Sequence, residues 1–313
     1  MGAWHGIGHH HTRTPTVANI AEFFFVASPD IIFAMIRLAF SSNAYKKNTL
    51  TEAIESIAGI GYSGAEIMAD IPHAYPPNLN ADQRRALVKR LRDLSLEVSN
   101  VNAFTCFANG DTYHPTWIED DAAKREFRVR HTLASIEMTG LIGGKTISLQ
   151  PGGPQIGTTI SRELAGERFA EGLTRCLPLA REHDVMLGIE PEPGLFIETA
   201  AEYLEFKNRF FKDEPRVKMN CDCGHLFCVG EDPAEVIRTM SDHIVHVHVE
   251  DIGRNRVHQH LTPGKGVIDF PGIFAKLNDV RYQGWVTVEL YPYETTAAGV
   301  AKLAYEHLAP MID

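Results

Sequence analysis

From Ile36 onward, short segments in which apolar and polar residues alternate take turns with longer segments of helical spacing. The alternating segments predict strands over Arg37–Ser42, Ala65–Met68, Val98–Ala103, Thr146–Gln150, Met186–Glu190, Val217–Asp222, Ile244–Val249 and Trp285–Leu290. Between them, helices are predicted over Leu50–Ile57, Ala81–Asp93, Asp121–Met138, Arg162–Glu182, Thr199–Lys207, Pro233–Met240, Pro271–Leu277 and Ala297–His307. Eight strand–helix pairs over about 275 residues match a single (β/α)8 TIM barrel better than a doubly wound sheet. A doubly wound fold would place a glycine-rich phosphate turn after its first strand, and SSNAYKKN has no glycine there.

The two faces of each predicted strand differ. Leu187 and Ile189 oppose Gly188 and Glu190; Met219 and Cys221 oppose Asn220 and Asp222; Val245, Val247 and Val249 oppose His246, His248 and Glu250; Val286 and Val288 oppose Thr287 and Glu289. Thr146, Ser148 and Gln150 stand against Ile147 and Leu149, and Asn100 with Asn102 against Val101. Strand residues alternate between the barrel interior and the helix layer, so the apolar set faces the helices. A purely structural barrel fills its interior with branched apolar residues, whereas this one turns polar toward the C-terminal ends of its strands.

Those ends carry Glu190, Asp222, His248 and Glu289 on strands five to eight. Three carboxylates aimed at one centre repel each other and raise each other's pKa unless a cation sits among them. An oxygen-rich set with one imidazole suits Mn2+, Mg2+ or Co2+ better than a thiolate-type zinc site. Taken one at a time, an inward histidine is a core group and a strand-end acid a helix cap; the argument rests on all four sharing one face and one end.

The bulk figures bound the function. Of 313 residues, 44% are hydrophobic and 22% charged, and the formal net charge is −10, which argues against a nucleic-acid partner on electrostatic grounds. Five cysteines without an even count or framework spacing predict reduced thiols and a cytoplasmic protein. Residues 1–34, with His9–His11 and an apolar run broken by Glu22, Pro29 and Asp30, read as an N-terminal extension or upstream start ahead of a 35–313 domain, with neither a membrane span nor a signal peptide.

The ordered set GIEPEPG, CDCGH, HVHVED, PGKGVIDF and VTVELYP resembles the sugar phosphate isomerase/epimerase superfamily of xylose isomerase-like barrels, the group that includes D-tagatose 3-epimerase, hydroxypyruvate isomerase and inosose dehydratase. The resemblance runs from about Ile36 to the end and is strongest from Met186 onward. It implies one divalent cation, Mn2+ first with Mg2+, Co2+ or Zn2+ behind it, held by Glu190, Asp222, His248 and Glu289. It implies Glu190 and Glu289 as catalytic acid and base, with proton abstraction beside a carbonyl and a metal-stabilised enediolate. For substrate binding it points to His225 and Arg254. Glu192 is the nearest match to the family's extra strand-five glutamate, Glu198 the second, and Glu66, Asn102 and Gln150 would line the other half of the pocket. The substrate is then a small carbohydrate, a keto sugar or related polyol, and a homo-oligomer is compatible with the family. Dehydration of an oxo-sugar or inosose uses the same site. An endonuclease IV-like phosphodiesterase would need further histidines where Glu66 and Asn102 stand, and a non-catalytic sugar-binding barrel would have no use for Glu190 and Glu289.

Overall fold

The computed structural model describes residues 36–154 and 159–312; the expected extension and the domain start near Met35 lie outside the described residues. Eight parallel strands, β1 (Arg37–Ser41), β2 (Gly64–Met68), β3 (Glu97–Asn102), β4 (Thr146–Leu149), β5 (Met186–Ile189), β6 (Val217–Asp222), β7 (Ile244–Val249) and β8 (Trp285–Val288), close in chain order, with β8 returning to β1. Around them run α1 (Leu50–Ile60), α2 (Ala81–Asp93), α3 (Ala122–Leu141), α4 (Arg162–Glu182), α5 (Ala200–Phe210), α6 (Cys223–Cys228), α7 (Pro233–Met240), α8 (Phe270–Asp279) and α9 (Ala297–Leu308). This is the TIM barrel that the alternation predicts.

Every strand lies within two residues of its predicted limits. The predicted ends overshoot because the backbone stays extended for a residue after the regular ladder stops. Glu190 N still donates to Leu149 O, and Glu289 N to Val249 O, each at 3.1 Å. Asp121 and Thr199, predicted as first helical residues, are instead the caps of α3 and α5, each accepting a backbone N–H. The six-residue α6 is absent from the sequence expectation, being too short to show a period.

Leu187, Ile189, Met219, Cys221, Val247, Val249, Val286 and Val288 are fully buried beneath the helices. That apolar layer holds the barrel, and it leaves the interior free to be polar.

Candidate active site

Two irregularities set the interior. The β2–β3 register steps from Ala65↔Val98 to Glu66↔Asn100, and the β6–β7 register from Met219↔Ile244 to Asn220↔His246. Each step leaves one extra residue, Ser99 and Val245. Bulges of this kind re-aim side chains near functional sites. Ser99 Oγ meets Thr287 Oγ1 across the interior at 3.2 Å, while Asn100 just above it also points inward and gives its amide to Glu66 at 2.7 Å. Above the second bulge, Asn220 pairs with His246 and Asp222 with His248.

Glu190, Asp222, His248 and Glu289 are all buried and each offers a ligand atom within 4.8 Å of the others. His248 Nδ1 lies 2.8 Å from Glu190 Oε1, 3.8 Å from Asp222 Oδ2 and 4.0 Å from Glu289 Oε2. Its Nε2 stands 2.6 Å from Glu66 Oε2. Burial would lower the His248 pKa, but Glu66, Glu190 and Glu289 together hold it well above the ordinary value, with Nδ1 facing Glu190 and Nε2 facing Glu66. Burial likewise would raise Glu66, yet His248, His246 and Asn100 keep it down at about 2. Glu289 goes the other way: burial, with Glu190, Glu66 and Asp222 around it, pushes its carboxyl well above the usual range despite His248.

Asp222 divides its carboxylate between two jobs. One oxygen caps α6 by accepting the His225 N–H at 2.8 Å; the other is buried without a hydrogen-bond partner. A buried carboxylate oxygen left in that state costs free energy unless something positive meets it. Beside it, Glu250 has both oxygens buried and unpaired, and burial next to the charge of Asp222 drives its pKa well up. Glu250 is packed so closely on α6 that a Cβ on Gly224 would fall 1.5 Å from its Oε1, which explains the glycine in CDCGH. The group is an acidic cluster around one imidazole. Its donor chemistry and the unpaired Asp222 oxygen fit a divalent ion.

A cavity of about 380 Å³ opens above these residues. Glu190 and Glu289 reach it, as do Glu192, His225, His258, Asn43 and Asn102. Asn43 and Asn102 both give amide hydrogens to Glu289 Oε1, at 2.8 and 3.1 Å. Glu192 accepts the Tyr113 hydroxyl at 3.0 Å, and burial, reinforced by Glu190 and opposed by His225, lifts its pKa to about 7. The turn after it has Pro193 before Gly194 at φ +85, with Leu195 N bonded to Glu192 O at 3.1 Å, so the chain reverses and leaves the Glu192 side chain in the cavity.

The model of the xylose isomerase-like TIM barrel family matches residues 54–310. The chain belongs to that family. Among its curated relatives, an inosose dehydratase of Clostridium perfringens is 26% identical over 270 residues, spanning 78% of this chain and 83% of that protein. An inosose dehydratase of Lacticaseibacillus casei is 30% identical over 139 residues, 39% of this chain and 46% of that one. Of the solved structures, the IOLI protein with a bound zinc atom superposes with a TM-score of 0.73 at 18% identity, covering 88% of this chain and 98% of its own. The 3-keto-D-glucoside 4-epimerase of E. coli gives 0.72 at 18%, covering 88% and 99%. At these identities the two structures establish the shared fold.

Within this xylose isomerase-like barrel, the structure brings the four residues from β5–β8 together and sets His225, Glu192 and Asn102 in the cavity wall. It places three other residues differently from the expectation of substrate contact. Glu66 lies below the cavity, fully buried, its oxygens taken by Ser41, Asn100, Asn102 and His248. Gln150 is fully buried too, its amide spent on the Tyr113 carbonyl at 2.7 Å. Arg254 is exposed and does not line the cavity. Glu198 accepts the Gly194 N–H at 2.9 Å and so braces the turn rather than entering the cavity.

Sequence reasoning missed several residues. Asn43, two residues beyond β1, carried no periodic signal. The loop after β3 supplies Phe104, Phe107 and Tyr113 to the cavity, and no motif marks it. His258 and His260, in the loop before PGKG, join His225 with ring nitrogens within 4.8 Å. Burial lowers His258 to about 4 and His260 to about 3, so both rings are neutral. The glycine amides of PGKG are used up internally: Gly264 N and Gly266 N donate to Asp251 Oδ2 at 2.9 and 2.7 Å. That loop is not a phosphate cradle. Among the described residues, no helix is long and apolar enough to cross a membrane.

Proposed function

We propose that the protein is a divalent-cation-dependent enzyme that abstracts a proton beside the carbonyl of a small carbohydrate, with isomerisation or epimerisation of a keto sugar or related polyol as the outcome. The observation that carries this reading is the convergence of Glu190, Asp222, His248 and Glu289, of which only the two glutamates open onto the cavity. Asp222 and His248 lie beneath, so their part is to hold the ion; Mn2+ suits the oxygen-rich set first, then Mg2+, Co2+ or Zn2+. That the solved IOLI protein holds zinc supports a divalent ion here.

When bound, the ion would withdraw charge from the substrate's carbonyl and adjoining hydroxyl oxygens and so acidify the neighbouring C–H. Glu66, bonded to Nε2 of His248, keeps a proton there and leaves Nδ1 facing the site. Glu190 and Glu289 enter the cavity from β5 and β8, so one carboxylate takes a proton and the other returns one. Asn43 and Asn102 fix the orientation of Glu289.

A second reading is loss of water from an oxo-sugar or inosose: the same proton leaves carbon, and the β-hydroxyl departs as water after taking a proton. The match to inosose dehydratases favours it. Metal analysis of the purified protein, followed by NMR of solvent-deuterium incorporation into keto sugars, oxo-inositols and oxo-glycosides, tests both. Exchange with return to an epimer or isomer supports the first reading, and a dehydrated product supports the second. A metal-loaded protein that exchanges no substrate carbon in the panel sinks the shared chemistry. Two ions per chain, one of them lost in His260→Ala, would reassign His225, His258 and His260 as ligands and favour a hydrolase.

A further inference from the structure

The cavity is lined by two unlike sets of side chains. Glu190, Glu192, Glu289, His225 and Asn102 make the polar set; the apolar set is Phe104, Phe107 and Tyr113 from the loop after β3, Met68 from the end of β2 and Tyr291 from beyond β8, and the two meet where the Tyr113 hydroxyl donates to Glu192. Phe107, Tyr113 and Tyr291 are only partly buried, so ring surface faces the open volume. We propose that this apolar set is a second subsite, for an apolar and preferably aromatic substituent carried by an uncharged, polyhydroxylated substrate. The inference rests on the proposed reaction for the position of the reacting ring over Glu190 and Glu289.

Size supports it. A cavity of about 380 Å³ falls in the range that buries drug-sized ligands. A sugar ring whose reacting carbons sit at Glu190 and Glu289 would not need Phe104, Phe107 and Tyr291, so their ring surface is available to a substituent.

The wall is also held in place rather than collapsed by chance. Asp70, fully buried, accepts the Thr105 hydroxyl at 2.8 Å and the Phe107 and Ala108 N–H groups at 2.5 and 3.1 Å. Arg128, also fully buried, donates to the carbonyls of Ala103, Phe104 and Pro115 at 3.2, 2.9 and 2.8 Å. Two buried charges thus fix the backbone on either side of Phe104–Phe107. A ring presented on a fixed backbone binds without the ordering cost that a mobile loop would impose.

The cavity offers no free lysine or arginine to an anionic substituent. Among its described lining residues the one ammonium is Lys46, whose Nζ is 2.8 Å from Glu294 and 5.5 Å from the centroid of the Phe107 ring. A phosphate or carboxylate on the substrate would have to compete with Glu294 for it. An aryl group meets Phe107 and Tyr113, where offset or edge-on stacking adds to the burial of its surface.

The test is calorimetric titration of the Mn2+-loaded full chain with phenyl β-D-glucopyranoside, methyl β-D-glucopyranoside and glucose 6-phosphate. The phenyl glycoside is expected to bind at least about tenfold more tightly than the methyl glycoside, with the phosphate weakest. Phe107→Ala and the milder Phe107→Leu are expected to bring the phenyl and methyl affinities to within about threefold of each other, the methyl affinity holding steady. Circular dichroism of both variants checks the fold. Equal affinities in the wild type, a preference untouched in both folded variants, or tightest binding of the phosphate overturns the subsite. So does binding of neither glycoside while deuterium exchange into an oxo-inositol continues, a result that leaves the proposed reaction standing. Conversely, a phenyl preference in a protein that exchanges no substrate carbon overturns the reaction and keeps the subsite.

Discussion

Strands β5 to β8 deliver Glu190, Asp222, His248 and Glu289 to the mouth of the barrel as strand-end residues on one face. Strands β1 to β4 carry Ser41, Glu66, Asn100 and Ser148 on the corresponding face, and these stay below, bonded to one another. What the first half shows to the cavity comes mostly from beyond its strand ends: Asn43, Phe104, Phe107 and Tyr113. One half presents carboxylates from just past its strand ends, where Glu190 and Glu289 are still bonded to the ladder, and the other presents amides and rings mostly from loops. The charged half holds its carboxylates through ladder bonds of the main chain together with side-chain donors, Asn43 and Asn102 on Glu289 among them. The loop half needs buried charges of its own, Asp70 and Arg128, to reach a similar rigidity.

Four substitutions probe that division. The largest effect is expected from Glu289→Gln, which keeps the shape and the Asn43 contact but removes a proton-transfer group. Turnover is expected to fall by about a thousandfold or more with an unchanged thermal transition, and retention of full activity would refute the role given to β8. Next comes the support of the loop half. Arg128→Met leaves the carbonyls of Ala103, Phe104 and Pro115 buried without donors and is expected to cost about 3 kcal/mol in urea unfolding. A loss below about 0.5 kcal/mol would mean that the loop holds itself.

Glu66→Gln tests whether the two halves are joined through His248. Loss of that carboxylate is expected to weaken Mn2+ binding by about 10- to 100-fold in calorimetry while the cavity wall stays intact. Unchanged affinity would make Glu66 a packing group only. The smallest effect concerns His131 on α3, buried with neither ring nitrogen bonded, its pKa driven to about 3 by burial and by Arg128. The unfolded chain takes up a proton below about pH 6.5 that the folded chain refuses until about pH 3, so stability falls as pH falls through that window and is level above it. His131→Phe is expected to recover about 2 kcal/mol at pH 5 and nothing at pH 8 from this source; an equal difference at both pH values would exclude it.

The same contrast explains what could be read from the sequence. A period of two exposes which residues share a face, and that was enough to place Glu190, Asp222, His248 and Glu289 together. It does not give height along the barrel axis or what a side chain finds there. Glu66 and Gln150 lie on the correct face, yet one is enclosed by four hydrogen-bonding neighbours and the other closes the Tyr113 loop. Arg254 was matched by spacing alone, and loop spacing does not fix direction. Phe104, Phe107 and Tyr113 had no periodic neighbours to betray them, because their positions follow from Arg128, Asp70 and Gln150, distant in sequence. Val245 was grouped with the outward valines, but it is the unpaired residue of the β7 bulge, a break in register that composition does not announce.

Those bulges have a further consequence. A strand with one supernumerary residue counts its rungs in two frames, one below the interruption and one above. Removing Ser99 or Val245 would make Ala65↔Val98 and Glu66↔Asn100, or Met219↔Ile244 and Asn220↔His246, consecutive pairs of a regular ladder, so the residues above the bulge would keep their partners and their face. For β7 that leaves His248 opposite Asp222. A single-residue deletion, which turns every later side chain of an ordinary strand to the opposite face, is absorbed at these two positions, and the bulges act as slack in the thread of the barrel.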